Sequence, residues 1–539
     1  MPEHLLNNSG DNMINSSIVS EYCNDFQDYL KDESRHNGHA ESISFPRSTE
    51  DISAVMRNMH KNKIPVTIQG ARTGLSAGAV PYGGHILNLS RMDKICSLRQ
   101  DEEGHFYLTV QAGAVLSQVR KMIENRDFPA VDWSDEAQEA YKAFLEAPLQ
   151  FFSPDPTESS ATIAGMVACN ASGARSYLYG PTRNSISAIR LVLADGDVLH
   201  IKRGEIFAKN ARFTLTTESG QKLDIQLPDY KMPQTKNVAG YYVKEDLDAI
   251  DLFIGSDGTL AIISEIELML QAAPKFIWGV CTFLDSEEQA VSFVSQLKKH
   301  CRHIASIEYF DRFALQILRD QQAVSSAFSR LPILPDNMGA VVYCELHCNE
   351  LDLAHELVLC IGQAIEEADG DENKTWVATN NTDLENLLFF RHAVPESVNM
   401  LIDQKKQQYP EIAKLGTDIS VPNPHLPDII GVYRQTLAAC GLQTATWGHI
   451  GDNHLHMNII PNNADEYHEG LQLYQKWIQK ALEMGGTVTA EHGIGKLKTK
   501  YLAMMFCQEE LEQMIALKKT FDPLFLLGRD NIFNMPTNL

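Results

Sequence analysis

Apolar and polar positions follow two different rhythms along this chain. From Ile43 to about residue 271, short apolar runs bounded by Gly, Pro, Asn and Asp predict strands interleaved with helices. After the loop at Phe45-Pro46, Thr49-Glu50-Asp51 is placed to cap a helix through Asn62, and Pro65-Val66-Thr67-Ile68 reads as a buried strand. Further strands are expected over Ile186 to Leu193, ending at the turn Ala-Asp-Gly-Asp, and over Leu252 to Leu268, interrupted at Gly255-Ser256-Asp257-Gly258-Thr259-Leu260. Beyond residue 272 the spacing lengthens to that of amphipathic helices, as over Ser286 to His300 and Leu351 to Glu367, alternating with strands such as Ala340 to Leu346. This change of texture predicts an α+β protein with a second α+β domain after the first. Residues 131 to 150 and 205 to 240 read as insertions into the first domain, and Glu366 to Asn373 as a solvated acidic loop.

Length and charge narrow the picture. A chain of 539 residues exceeds what one core serves, so two or three domains are expected. The 46 basic and 70 acidic residues give a net charge of −24, a field that repels nucleic acid and anionic lipid. An acidic substrate would be repelled too, unless its pocket supplies positive charge from a metal or an arginine. No segment reaches the roughly 18 apolar residues of a membrane span. Residues 1 to 20, rich in Asn and Ser, are expected to fray and lack a basic stretch followed by an apolar core. The expectation is a soluble, cytoplasmic protein, at most peripheral at a membrane, without an integral membrane segment. The ten cysteines stand singly with no Cys-x-x-Cys, so neither an iron-sulfur cluster nor a zinc ribbon is suggested. A disulfide framework is not expected in a chain this large, and Cys344 and Cys348 read as a buried strand and its end.

Two segments are dominated by small residues. Gln69 to Pro81 (Gln-Gly-Ala-Arg-Thr-Gly-Leu-Ser-Ala-Gly-Ala-Val-Pro) is a loop whose amides can approach an anion closely, yet it is neither Gly-x-Gly-x-x-Gly nor a Walker loop. Pro154 to Gly180 is rich in Ala, Gly, Ser and Thr, which implies backbone lying tightly against something large and flat, such as a tricyclic ring.

The best metal-ligand and proton-transfer groups fall in two glycine-punctuated runs. These are Gly448-His449-Ile450-Gly451-Asp452-Asn453-His454-Leu455-His456-Met457-Asn458 and Ala490-Glu491-His492-Gly493-Ile494-Gly495. Two imidazoles and a carboxylate make an open divalent-metal site, with a further histidine free to move a proton. The Gly-Asp-Asn turn argues against a helix, and a strand from 454 to 460 would put His454, His456 and Asn458 on one face, with His449 approaching from the turn. Taken singly, each histidine has an ordinary alternative as a hydrogen-bonded core or surface residue.

Arg72-Thr73-Gly74-Leu75-Ser76-Ala77-Gly78-Ala79-Val80-Pro81, the Pro154-Asp155-Pro156-Thr157 run with Asn170-Ala171-Ser172-Gly173-Ala174-Arg175, Gly255-Ser256-Asp257-Gly258-Thr259-Leu260 and the two histidine runs together resemble the FAD-linked oxidases of the vanillyl-alcohol oxidase type. Within them the chain is most similar to D-lactate and D-2-hydroxyglutarate dehydrogenases and the glycolate oxidase flavin subunit. The resemblance implies a PCMH-type FAD-binding domain of two subdomains over 43–271, preceded by an N-terminal extension and first helix over 1–42. An α+β cap over 272–500 would carry substrate and metal, and a helical segment over 501–539 would return to the FAD domain. Gly70, Ala71, Arg72, Thr73, Gly74, Leu75 and Gly78 would line the pyrophosphate. Pro154, Thr157, Thr162, Gly165, Ala168, Asn170, Ser172, Tyr179 and Ile263 would line the rest of the cofactor. Arg72 and Ala77 stand where relatives often have glycine, so Arg72 either contacts phosphate or points to solvent. The first loop has no His or Cys, so the FAD would be non-covalent.

By the same resemblance, His449, His456 and Glu491 would hold a divalent metal, Zn²⁺ in preference to Mn²⁺ or Fe²⁺. His492 would be the base, Arg391 of Phe390-Arg391-His392 would grip the substrate carboxylate, and Asn458 would hold substrate or a ligand. Lys414-Leu415-Gly416-Thr417-Asp418-Ile419-Ser420-Val421-Pro422 is similar to the Thr-Asp-x-x-Val-Pro stretch of D-lactate dehydrogenases. Hydroxyglutarate enzymes have lysine where Gly416 stands, with Lys414 here two residues off register, which puts the longer dicarboxylate in doubt while leaving Lys414 and His392 as residues that could still reach the pocket. The implied reaction oxidises a small D-2-hydroxy acid, D-lactate or a similar one, to the 2-oxo acid. The alternatives are D-2-hydroxyglutarate or glycolate on the same scaffold, or a non-catalytic flavoprotein subunit. Lys519 to Phe533 resembles the closing motif without its Asn-Pro-Gly and without a fused iron-sulfur domain. Electrons would therefore pass to a separate quinone, electron-transferring flavoprotein or cytochrome.

Overall fold

In the computed structural model, which describes residues 19–21 and 24–535, the chain folds into a two-part cofactor half, a cap and a C-terminal return. The first part holds a four-stranded sheet in the order Val19–Glu21, Ser42–Ser44, His85–Asn88, Val66–Gln69. Helix Thr49–Asn62 buries Ile52, Val55, Met56 and Met59, four positions at helical spacing. Its cap is Ser48, which accepts from the Asp51 amide, and Thr49, expected to begin the cap, instead donates to Ser264. The second part is a five-stranded antiparallel sheet ordered Ile95–Gln100, Phe106–Gln111, Ile262–Met269, Ile186–Val192, Val198–Lys202.

One expected strand is divided. Leu252 and Phe253 end a helix, Ala249–Phe253, capped by Asp248, and only Ile262–Met269 is strand. Gly255 and Gly258 adopt φ of 90° and 67°, so the chain reverses between them where a side chain would be strained. The N-terminal helix expected within 1–42 is represented by the short strand Val19–Glu21 and a 3₁₀ turn, Asn24–Leu30. The fraying expected for residues 1 to 20 falls, save at the last two, outside the described residues.

The cap is a seven-stranded antiparallel sheet ordered Thr375–Ala378, Phe276–Leu284, Ala340–Cys348, Ile304–Asp311, Thr444–His449, His454–Ile459, Leu415–Gly416. Its two central strands, Ala340–Cys348 and Ile304–Asp311, are buried at every position because both faces are covered. Alternate residues enter different cores. Val342, Ile307 and Tyr309 pack with Phe293 and Leu357 of helices Glu287–His300 and Leu351–Glu367. Val341, Phe310 and Trp447 pack with Leu318 and Phe390 of helices Arg312–Val324 and Asn381–Gln408. One disulfide joins Cys301 and Cys360 across the first helical pair, where the size of the chain had argued against a disulfide framework.

After helix Gln508–Phe521 the chain returns to the cofactor half, where the Val66 amide donates to Leu526 and the Gly528 amide to Val66. Lys518, buried, donates to the carbonyls of Thr259 and Leu527 and pairs with Asp522 at 2.8 Å, stapling this return in place. Among the described residues no helix is long and apolar enough to cross a membrane.

Candidate active site

A cleft opens between the two parts of the cofactor half and runs to the cap. Small residues make room for it: a Cβ at Gly74 would meet nothing within 4 Å, and one at Gly78 nothing nearer than 3.7 Å. Gly70, Ala71, Arg72, Thr73, Gly74, Leu75, Gly78, Thr157, Gly165, Ala168, Ser172 and Ile263 all line it. Pro154, Thr162, Asn170 and Tyr179 are not among its lining residues. Thr162 caps helix Ile163–Cys169, Asn170 ends it at φ 48° with its side chain accepting from Arg183, the Pro154 carbonyl accepts from Arg120, and Tyr179 bonds His347. These four hold the wall from behind. Arg72 and Ala77 occupy the left-handed region at φ 62° and 59°, and the Arg72 guanidinium lies 4.4 Å over the Tyr29 ring while still lining the cleft. Lys496, whose ammonium bonds the carbonyls of Ala77 and Gly78 and the Asn531 side chain, ties the first loop to the C-terminal return.

Glu491 and His492 close the cap end of this cleft. Their backbone is fixed by Asp418, which accepts from both amides, from Thr489 and from the Lys498 ammonium at 2.7 Å. His449 ends strand Thr444–His449, and its register partner His454 begins strand His454–Ile459. In an antiparallel pair, partners point to one face, so His449, His454, His456 and Asn458 share the face that carries Trp447. The side-chain atoms of His449, His454, His456 and Glu491 come within 4.8 Å of one another.

The donor set fits a divalent cation. His449 Nε2 and His456 Nε2 lie 3.5 Å and 3.3 Å from the Glu491 carboxylate. Behind them, His449 Nδ1 meets Glu308 Oε1 at 2.7 Å and His456 Nδ1 donates to the Thr417 carbonyl at 3.0 Å. Burial would lower His449, but Glu308 and Glu491 hold it up at about 9, so without a metal it carries a proton on both nitrogens; Glu308 and the Thr417 carbonyl keep the Nδ1 protons, and a bound cation would displace the Nε2 proton of His449 and meet Nε2 of both rings. Both ring nitrogens of fully buried His454 lack hydrogen-bond partners; its Nε2 is 3.1 Å from Asp418 but out of line. Burial pushes His454 down to about 3, so it stays neutral.

His492 is placed differently. Its ring stacks on His456 with centroids 5.4 Å apart, its Nδ1 is 3.5 Å from Asp418 Oδ2, and its Nε2 is 3.7 Å from Glu491 Oε1. Burial lowers it to about 4, so at neutral pH it is an uncharged proton acceptor.

Beside these groups lies a smaller cavity, walled by Phe310, Pro395 and Trp447 and by Arg391, His392, Glu308, His449 and His456, with Thr157 at its junction with the cleft. Arg391 is buried, bonded through Nε to Glu308 at 3.2 Å and 3.8 Å from Asp155. Asn458 is absent from this lining; it donates to the His456 carbonyl and packs against Gly416, where a Cβ would approach its Oδ1 to 2.7 Å. Lys414 is not in this lining; its ammonium lies 5.2 Å over the ring of Trp447, one of the walls, and is bonded to Asn399.

Two residues escaped the sequence reading. Lys236, in a segment taken as an insertion, donates to Glu491 at 2.9 Å and lies 3.7 Å from Asp452, with nothing in its local sequence to mark it. Burial would raise Glu491, but Lys236 and His449 hold it well below the carboxylate range. Glu308 did leave a signal: it is an acid in the interior of a largely apolar strand whose other acid, Asp311, stands at its end.

Comparison with known proteins bears on the whole chain. The FAD binding domain family matches residues 40–138 and 139–202, and the family described as FAD linked oxidases, C-terminal domain, matches residues 274–532. D-lactate dehydrogenase of Anaerostipes hadrus is 27% identical over 94% of this chain and 92% of its own length. Glycolate oxidase subunit GlcD of Bacillus subtilis is 26% identical over 92% and 89%, and D-2-hydroxyglutarate dehydrogenase of Stutzerimonas stutzeri 24% over 94% and 94%. A solved structure of alkyldihydroxyacetonephosphate synthase superposes at a TM-score of 0.58 with 14% identity, covering 95% of this chain and 82% of that one, which extends the likeness of fold.

Proposed function

We propose, from the premise that this chain belongs to the FAD-linked oxidases, that it is a dehydrogenase of small D-2-hydroxy acids, oxidising D-lactate or a similar monocarboxylate to the 2-oxo acid. The observation that carries this reading is the convergence of His449, His456, Glu491 and His492 where the cofactor cleft meets a cavity containing a buried arginine.

The cleft residues from Gly70 to Gly78 would hold FAD, which supplies the acceptor for a hydride leaving substrate C2. His449 and His456 through Nε2, with Glu491, would hold a divalent cation, Zn²⁺ by preference, which supplies Lewis acidity toward the substrate hydroxyl. His492 takes the hydroxyl proton at Nε2, since its Nδ1 faces Asp418. Arg391 orients the carboxylate, and its burial beside Phe310 and Trp447 keeps bulk water from competing. A cavity lined by one arginine, already shared with Glu308, and by no lysine supports one substrate carboxylate rather than two. A quinone, an electron-transferring flavoprotein or a cytochrome would reoxidise the flavin.

The test is anaerobic stopped-flow bleaching of the bound flavin by a panel of D- and L-2-hydroxy acids, with and without a chelator. Rapid bleaching by D-lactate that chelation abolishes is the expected result. Bleaching by none of the panel, or bleaching unaffected by complete metal removal, would overturn the assignment.

A further inference from the structure

We propose that Glu308 is a positioning residue shared by both halves of this site, one oxygen orienting His449 and the other orienting Arg391. The inference rests on reading His449 as a metal ligand and Arg391 as the grip on the substrate carboxylate. Strand Ile304–Asp311 is buried along its whole length, so an acid at 308, 3% exposed, persists there only if fully partnered. Its side chain leaves the sheet on the same face as Phe310, toward helix Asn381–Gln408 and the end of strand Thr444–His449. Oε1 lies 2.7 Å from His449 Nδ1, and Oε2 accepts from Arg391 Nε at 3.2 Å.

Each contact selects one arrangement of its partner. With its Nδ1 proton held by Glu308, His449 turns Nε2 toward Glu491, which makes Nε2 the nitrogen that would ligate a cation. With Nε committed to Glu308, Arg391 keeps its terminal nitrogens for a carboxylate, and only a distant contact of 3.8 Å to Asp155 competes. Both partners are donors, so the residue at 308 must be an acceptor at both ends. Glutamine satisfies one and turns an N–H against the other. Metal binding and carboxylate binding are therefore linked through one side chain, rather than being separate properties of neighbouring residues.

The test uses the FAD-loaded full chain. Zn²⁺ affinity is measured by competition with a chromophoric chelator, KM and kcat with D-lactate, and FAD occupancy from flavin absorbance. Glu308→Gln is expected to weaken Zn²⁺ by about 10- to 100-fold and to raise KM, with FAD occupancy unchanged. Arg391→Lys is expected to raise KM while leaving Zn²⁺ affinity intact, a split that general loosening of the cap would not produce. Wild-type Zn²⁺ affinity in Glu308→Gln, or a change in only one of the two quantities, would overturn the proposal. Should Glu308→Gln fail to fold, Glu308→Asp keeps both acceptor oxygens but retracts them, and it must weaken Zn²⁺ and raise KM together or the proposal fails. Wild-type protein that binds no Zn²⁺ would instead refute the metal reading on which this inference stands.

Discussion

Replacing His492 with alanine isolates the proton-transfer step. Both polar contacts of the ring, 3.5 Å to Asp418 and 3.7 Å to Glu491, are longer than a good hydrogen bond, so truncation breaks little. The backbone amide of residue 492 still donates to Asp418 at 3.0 Å, and Asp418 keeps the Glu491 amide, Thr489 and Lys498. The loop carrying Glu491 should therefore stay in place, and FAD and metal should remain bound. What disappears is the neutral imidazole that accepts the hydroxyl proton. A positioned general base contributes about 10² to 10⁴-fold, or about 2.7 to 5.5 kcal/mol of barrier. Stopped-flow reduction of the flavin by D-lactate should slow by that factor at unchanged FAD content and unchanged Zn²⁺ stoichiometry. Reduction at the wild-type rate would remove His492 from the mechanism, and loss of FAD from the variant would show that its role is structural.

Three further substitutions probe the surroundings. Lys236→Met leaves Glu491 and Asp452 buried without their ammonium; breaking such a pair costs roughly 3–5 kcal/mol, so metal-free protein should melt earlier, and Zn²⁺ should restore more of the loss than it adds to wild type. Equal sensitivity with and without Zn²⁺ would contradict the shared use of Glu491. Gly70→Ala would drive a Cβ to 2.2 Å from Thr162 Oγ1, at the cap of helix Ile163–Cys169, and should lower the FAD-to-protein ratio on purification; full occupancy would show that this turn can yield. His85, enclosed between Ser42 and Ser44, is pushed by burial down to about 4, so the unfolded chain binds its proton first as pH falls. Stability should then drop between pH 6.5 and 4 by about 3 kcal/mol from this group, and His85→Gln should flatten that part of the profile in urea melts at stepped pH.

Much of this architecture was legible in the sequence, for identifiable reasons. Helix Leu351–Glu367 was expected at those bounds because its apolar stripe is uninterrupted, and the small-residue segments marked the cleft because little else explains so few large side chains. Period-two patterning put His454, His456 and Asn458 on one face, but it could not say that Asn458 would turn to the backbone of His456. Leu252 and Phe253 were taken for strand because a short apolar run fits either state, and the capping Asp248 decides for helix. Tyr179 sits among small residues, yet its hydroxyl is claimed by His347 from the cap, a long-range contact that no local pattern encodes. Lys236 was invisible for the same reason: its partner lies more than 250 positions away in sequence.

Those distant contacts bear on how an acidic protein could hold the acidic substrate proposed for it. Asp155, from the cofactor half, pairs with Arg120 at 3.0 Å and lies 3.8 Å from both Arg175 and Arg391. Arg175, also from the cofactor half, crosses to Glu345 of the cap at 2.6 Å, and Glu345 in turn bonds His347. Arg391, Glu345 and His347 are buried and Asp155, Arg120 and Arg175 partly so, and separating cap from cofactor half would strand several charges at once, which opposes loose docking more strongly than apolar contact alone. The net charge of −24 belongs to the surface, whereas the site is held by an internal network in which each acid has a cationic or hydrogen-bonding partner. Within that network Arg391 and the inward-facing imidazoles are the groups left with unspent capacity, and they border the same cavity. The positive charge that an anionic substrate requires is therefore supplied locally, at the seam where the two halves of the molecule are already locked together.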